Sequence, residues 1–197
     1  MRQSDVMVYL MTGFLDSGKT QFLTFTLEQD YFQIQGKTLL ILCEEGEEEY
    51  DPKEMLKYGV VIEKVEDKED LTEAWLEEMN RKHKPERVVV EYNGMWPVSD
   101  FEKLALPAGW KIEQKIATVD ASTFQMYLTN LKPLFVEMVK GAELVLFNRC
   151  EDRGPLAGYR RSVKVVSPQA EVIFEDENGE VDNIFEDEVR KAVRQSS

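Results

Sequence analysis

Val6-Met7-Val8-Tyr9-Leu10-Met11 is an unbroken apolar run of strand length, the pattern of a strand buried on both faces of a parallel sheet. A glycine-rich loop follows directly, and Phe22, Leu23, Phe25 and Leu27 then fall near helical spacing until Gly36 breaks the pattern. Thr38–Cys43 is a second buried-strand run, and it empties into the acidic stretch Glu44–Pro52, which predicts a solvated loop. Val60-Val61-Ile62 predicts a short strand. Leu71, Trp75, Leu76 and Met79 mark the core stripe of an amphipathic helix opened by the Asp67–Asp70 segment. Arg87–Glu91, Ile116–Asp120 and Leu144–Asn148 are further strand runs, each ending in a polar residue. Helices are expected over Phe124–Leu131 and Pro133–Lys140, the second closed by Gly141. Glu171–Phe174 predicts a strand with a hairpin turn at Asn178-Gly179, and Phe185–Val193 a last helix.

Strands alternating with helices predict an α/β, doubly wound, mostly parallel sheet. In such sheets ligands bind beyond the carboxyl ends of the strands, where the polar strand ends collect here. With 197 residues, 43% of them hydrophobic, and no Ser/Gly/Pro-rich divider, the chain is expected to form one domain over residues 1–197. A net charge of −14 argues against nucleic acid and anionic membrane surfaces as partners. Cys43 and Cys150 lie far apart without a C-x-x-C spacing, so neither a disulfide framework nor a soft-metal motif is expected. The first apolar run is too short to span a membrane and lacks a small-residue cleavage site, which makes the cytoplasm the expected location.

The loop Gly13-Phe14-Leu15-Asp16-Ser17-Gly18-Lys19-Thr20 matches G-x-x-x-x-G-K-[ST] between a predicted strand and a predicted helix, the context that pattern requires. Its glycines let backbone N–H groups converge on phosphate oxygens, and Lys19 adds a mobile cation in a loop expected to be exposed. Thr20 offers a hydroxyl to Mg²⁺, and Glu91, closing an apolar strand, is placed to hold the ion's hydration shell or orient an attacking water. Asp16 is unusual there, and its carboxylate must point away from the phosphates or meet a cation. Glu44, Glu47 and Asp51 have two readings, a metal-linked switch loop, with Glu44 as a metal ligand, or a solvated surface. Asp120 is expected to cap a helix, and His83, flanked by lysines, to lie on the surface.

These motifs together resemble the CobW/HypB/UreG P-loop GTPases, many of which are metal chaperones. Gly13–Thr20 is similar to that family's GFLGxGKTT, and Cys43-Glu44-Glu45-Gly46-Glu47 with Asp51 to its NEFGE…D loop. Glu91-Tyr92-Asn93-Gly94 with Pro97 resembles E-x-x-G, and Val119-Asp120-Ala121 resembles V-D-A. Asn148-Arg149-Cys150-Glu151 falls where the family reads guanine with NKxD, and Ser167-Pro168-Gln169-Ala170 where it has NPxA. The resemblance implies a P-loop NTPase-type fold, GTP (or ATP) with Mg²⁺, and Asn148, Arg149 and Glu151 at the base. Glu151 keeps both acceptor oxygens one methylene further out, and Arg149 offers a plane to stack on the base.

Three departures stand against it. Val60, Val61, Ile62 and Glu63 follow Gly59 where the CxCC metal motif belongs, Arg149 and Glu151 replace the lysine and aspartate of NKxD, and the chain stops before the C-terminal domain of CobW-type members. The leading expectation is a slow GTP hydrolase acting as a switch on a partner protein, with a second copy of the chain as another candidate partner. Slowness follows from the lack of an arginine finger near the motifs. A small-molecule kinase with a basic lid from Arg153, Arg160, Arg161 and Lys164 is one rival, and a non-hydrolysing regulatory module is the other.

Overall fold

The apolar runs pair edge to edge in the computed structural model, which describes residues 5–44, 46, 49–151 and 156–175. The strands are β1 (Val6–Gly13), β2 (Thr38–Leu42), β3 (Val60–Lys64), β4 (Arg87–Glu91), β5 (Trp110–Asp120), β6 (Leu144–Asn148) and β7 (Glu171–Phe174). They form one sheet in the order β3-β2-β4-β1-β5-β6-β7. Every neighbouring pair is parallel, so the sheet is wholly rather than mostly parallel among the described residues. β2 and β4 are buried at all five positions, which is why they read as continuous apolar runs rather than alternating ones.

The helices are α1 (Lys19–Glu28), α2 (Pro52–Lys57), α3 (Glu73–His83), α4 (Val98–Glu102), α5 (Phe124–Asn130), α6 (Lys132–Val139) and α7 (Leu156–Val166). One sheet face buries Val8, Leu10, Ile41 and Val90 against Leu76 and Met79 of α3 and Phe101 of α4. The same face continues over β5–β7, where Val119, Val145, Phe147 and Phe174 meet Phe124, Phe135 and Val163. The opposite face packs Met11, Leu40, Val89 and Ile116 on Leu23 and Leu27 of α1 and Met55 of α2. Each such side chain withdrawn from water contributes about 1.5–3 kcal/mol, so the two apolar layers hold the sheet between them.

Local chemistry ends these elements. Asp51 caps α2 by accepting from the amides of Lys53 at 2.8 Å and Glu54 at 3.4 Å, with Pro52 as the first helical residue. Asp51 is therefore a structural cap, and the end of the acidic stretch is helix rather than solvated loop. Thr72 caps α3 on the Trp75 amide at 3.2 Å. The stretch Trp110–Lys115 extends β5 beyond the predicted strand, and α7 was not predicted from the sequence. Glu47, Arg153, the Asn178-Gly179 hairpin and the Phe185–Val193 helix lie outside the described residues. No described helix is long and apolar enough to cross a membrane.

Candidate functional site

Because all strands run the same way, Gly13, Cys43, Glu91, Asp120 and Asn148 arrive at one edge of the sheet. β1 ends there and the chain loops over its own end into α1. Gly18 starts that helix in the left-handed region at φ 85°, and a Cβ there would lie 2.3 Å from Asn148 Nδ2, so both its conformation and its neighbour require glycine. The loop is pinned from below by Ser17 Oγ and Thr118 Oγ1, 2.8 Å apart and buried. Phe14 is buried, its ring stacked on Tyr127 at 4.1 Å, so its side chain anchors the loop in the core and does not face the cleft. Leu15 and Asp16 are exposed on the cleft wall, Asp16 at φ 58°.

Lys19 departs from the sequence expectation. It is 4% exposed rather than free in an open loop. Its ammonium donates to Gly13 O at 2.8 Å and Phe14 O at 2.9 Å, and pairs with Glu44 Oε2 at 2.6 Å. Three oxygens match its three donors, so a desolvated cation is fully satisfied. Thr20 Oγ1 donates to Glu91 Oε1 at 2.8 Å, and the Tyr50 hydroxyl to Glu91 Oε2 at 2.5 Å. Burial pushes the Glu91 carboxyl above its usual range; the Tyr50 and Thr20 hydroxyls and Lys19 oppose that shift without cancelling it. Thr20 and Glu91 are adjacent hard oxygen donors, the chemistry Mg²⁺ takes, whereas Glu44 is engaged by Lys19. No group of three or more His, Cys, Asp or Glu among the described residues is placed to hold a metal.

At the other end of the loop Asn148 Nδ2 donates to Ser17 O at 2.7 Å, linking residues 131 apart in sequence. That bond fixes the amide's orientation and leaves Asn148 Oδ1 buried without a partner. Arg149, at φ 53°, donates from Nη1 to Asp16 O at 2.9 Å and Asp120 Oδ2 at 2.5 Å. Its guanidinium thus straps the loop by its edge, drawn by the Asp120 charge. Burial pushes the Asp120 carboxyl up, but the Ser122 hydroxyl and amide and Arg149 hold it below its ordinary value. Asp120 is therefore part of the site's frame, a role its spacing did not signal. Glu151 is exposed and lines a groove with Gly18, Asn148 and Arg149.

Other sequence candidates are placed elsewhere. Arg160 lies over the Phe174 ring at 5.2 Å and Lys164 donates to Pro168 O at 3.1 Å, so both are engaged along α7 and do not form a lid over Lys19. His83 is half-buried against Glu63, Nε2 to Oε1 2.6 Å, rather than simply on the surface. Ser167 ties the turn after α7 to Ala142 O at 3.0 Å. Sequence reasoning missed Tyr50, Thr118 and the Lys19–Glu44 pair, because contacts across the sheet leave no linear spacing.

A glycine loop between a central parallel strand and a helix, with its lysine directed back over the loop and a threonine joined to the carboxylate of the adjacent strand, defines a P-loop nucleotide-binding protein. Residues 7–174 match the family described as CobW/HypB/UreG, nucleotide-binding domain, and the chain belongs to that family. The hydrogenase maturation factor HypB from Archaeoglobus fulgidus is similar in fold, with TM-score 0.63 and 18% identity over 95% of this chain and 90% of that one. HypB from Helicobacter pylori in complex with nickel gives TM-score 0.60 and 14% identity over 98% and 89%. The Zn(II)-bound YjiA GTPase from E. coli gives TM-score 0.61 and 22% identity over 86% of this chain but 57% of that one. At these identities the likeness establishes the fold. No curated protein sequence matches the chain.

Proposed function

We propose that the chain binds GTP in preference to ATP, with Mg²⁺, hydrolyses it slowly, and acts as a nucleotide-dependent switch on a partner protein. The observation that carries this reading is the position of the Gly13–Thr20 loop. It lies between the Thr20–Glu91 hydrogen bond on one side and the unpartnered Asn148 acceptor on the other. A buried acceptor without a donor is costly, by about 1–3 kcal/mol, and a base N–H of either purine delivered to Asn148 Oδ1 would relieve it. Glu151 supplies two acceptors for the N1–H and exocyclic amine of guanine, a pattern adenine lacks. Lys19 would hold the phosphates, and Thr20 with Glu91 would hold Mg²⁺, which when bound neutralises charge developing on the phosphoryl oxygens. Glu91 is also placed at the strand end to orient an attacking water. The cleft's cations among the described lining residues are Lys19 and Arg149, and Arg149 is strapped to Asp120, which fits slow turnover.

Any link to metal homeostasis rests on the family and on the nickel and zinc in its structural neighbours, since β3 carries valine, isoleucine and glutamate where the family's thiols would fall. The test is a thermal-shift panel of GTP, GDP, ATP and ADP with and without Mg²⁺. At ~100 times its Kd a ligand specific for the folded state adds ~2.7 kcal/mol of stability. Guanine nucleotides should shift the melt further than adenine nucleotides, and Mg²⁺ should enlarge the triphosphate effect. ATP equal to GTP would remove guanine reading, and no shift with any nucleotide would remove the whole proposal.

A further inference from the structure

Glu44 is held the way a bound anion is held. Its Oε2 lies 2.6 Å from Lys19 Nζ, and its Oε1 accepts the Gly94 N–H at 3.4 Å. A cationic side chain and a backbone amide converging on one small anion are the donors with which P-loop sites grip a phosphoryl group. Both side chains are nearly closed off, Lys19 at 3% and Glu44 at 9% exposure, and the lysine's remaining donors are filled by Gly13 O and Phe14 O. No donor of Lys19 is left over for a phosphate.

The geometry also says which phosphate is imitated. Asn148, the base-side residue, packs on Ser17 and Gly18. Gly94 packs on the opposite end of the loop, where a Cβ would stand 2.1 Å from Gly13 O and 2.8 Å from Phe14 Cα, so no side chain fits between. The Lys19–Glu44–Gly94 contact is therefore at the end remote from the base. A polyphosphate laid along the loop from the Asn148 side reaches Glu44 with its last phosphoryl group.

Resting on the nucleotide reading above, we propose that Glu44 makes this site discriminate by phosphate number. Its carboxylate occupies the place of the terminal phosphoryl group of a nucleoside triphosphate, so that a triphosphate must expel it and a diphosphate need not. Two anions cannot share Lys19 and the Gly94 amide in a desolvated cleft without repulsion. Expulsion of Glu44 detaches the chain at the end of β2 from both Lys19 and Gly94, and this occurs only with the longer ligand. The site thereby ties the presence of a third phosphate to the release of Glu44 from Lys19 and Gly94.

Calorimetric titration of GTP and GDP in EDTA tests this with the full chain, its Glu44→Gln variant and its Glu44→Ala variant. EDTA removes any opposing effect of Glu44 as a metal ligand. Wild type should bind GDP more tightly than GTP. Both variants should bind GTP at least ~10-fold more tightly than wild type, about 1.4 kcal/mol, with GDP affinity changed less than ~3-fold. Equal changes for the two nucleotides, or GTP affinity unchanged or weakened in both variants, would overturn the role of Glu44 and leave the nucleotide site standing. A wild-type chain that binds neither nucleotide would instead remove the reading on which the inference rests.

Discussion

Lys19→Ala should weaken the nucleotide-free fold as well as remove triphosphate binding. The substitution deletes a buried ammonium that satisfies two loop carbonyls and the Glu44 carboxylate. Removing one partner of a buried pair typically costs ~3–5 kcal/mol, because the other charge stays desolvated. Here Glu44 lies on the cleft wall, and truncating Lys19 to alanine leaves room for water to reach it, which lowers the figure to ~2 kcal/mol. For a chain of this length that is a fall in Tm of roughly 4–8 °C, against a total stability on the order of 5–15 kcal/mol, so the variant remains folded. The assay is urea denaturation without nucleotide, followed by tryptophan fluorescence, on the single variants Lys19→Ala and Glu44→Ala and on the double variant. If the pair carries the cost, the double variant should be more stable than the sum of the single losses predicts, by ~1 kcal/mol or more. Lys19→Ala melting with wild type, or strictly additive losses, would show that the buried pair contributes nothing and that the lysine acts on the ligand alone.

Glu91→Gln should flatten the pH dependence of stability. A carboxyl whose folded pKa lies above the unfolded 4.5 is held protonated more tightly by the folded state, so stability falls as pH rises from about 4.5 through the raised value and is level above it. The amide removes that slope, which melts from pH 4 to 8 would show, while Mg²⁺-dependent GTP hydrolysis should drop by at least ~10²-fold. An unchanged slope would mean that the Glu91 proton is not taken up on folding. Titration of the nucleotide-free protein with Zn²⁺ against a chelator should show no sub-micromolar one-to-one site. Burial, followed by the neighbouring Glu91 and Glu44, pushes the Cys43 thiol far above its usual pKa, and zinc needs the thiolate. Tight binding that disappears in Cys43→Ser would refute this.

The central strands were legible as short apolar cores, Leu39–Leu42 of β2 and Val88–Val90 of β4, because burial on both faces leaves no polar position inside them. β5 was half legible. Its Trp110–Lys115 portion pairs with β1, but β6 joins only from Ile116 onward, so polar residues are tolerated along the free edge. α7 is harder to read because Arg160, Arg161 and Lys164 crowd its buried stripe of Leu156, Tyr159 and Val163, which lie about one turn apart. In the site, the loop pattern and Glu91 were visible as short local signals. The partners that fix their chemistry were not, since Tyr50 is 41 residues from Glu91 and Arg149 is 29 from Asp120, distances that only the sheet closes.

The strand order has a consequence for synthesis. β1 and β2 are both made before β4, yet they never touch; β4 lies between them and hydrogen-bonds to both. Until Glu91 has left the ribosome, two strands with apolar side chains on both faces have no native neighbour in the centre of the sheet. The wait from Leu42 is about fifty residues, several seconds at ~5–20 residues per second. Bare strand edges invite pairing with other chains, and long-range parallel pairing is slow to form. The nascent chain is thus most prone to aggregate between the synthesis of Leu42 and that of Glu91.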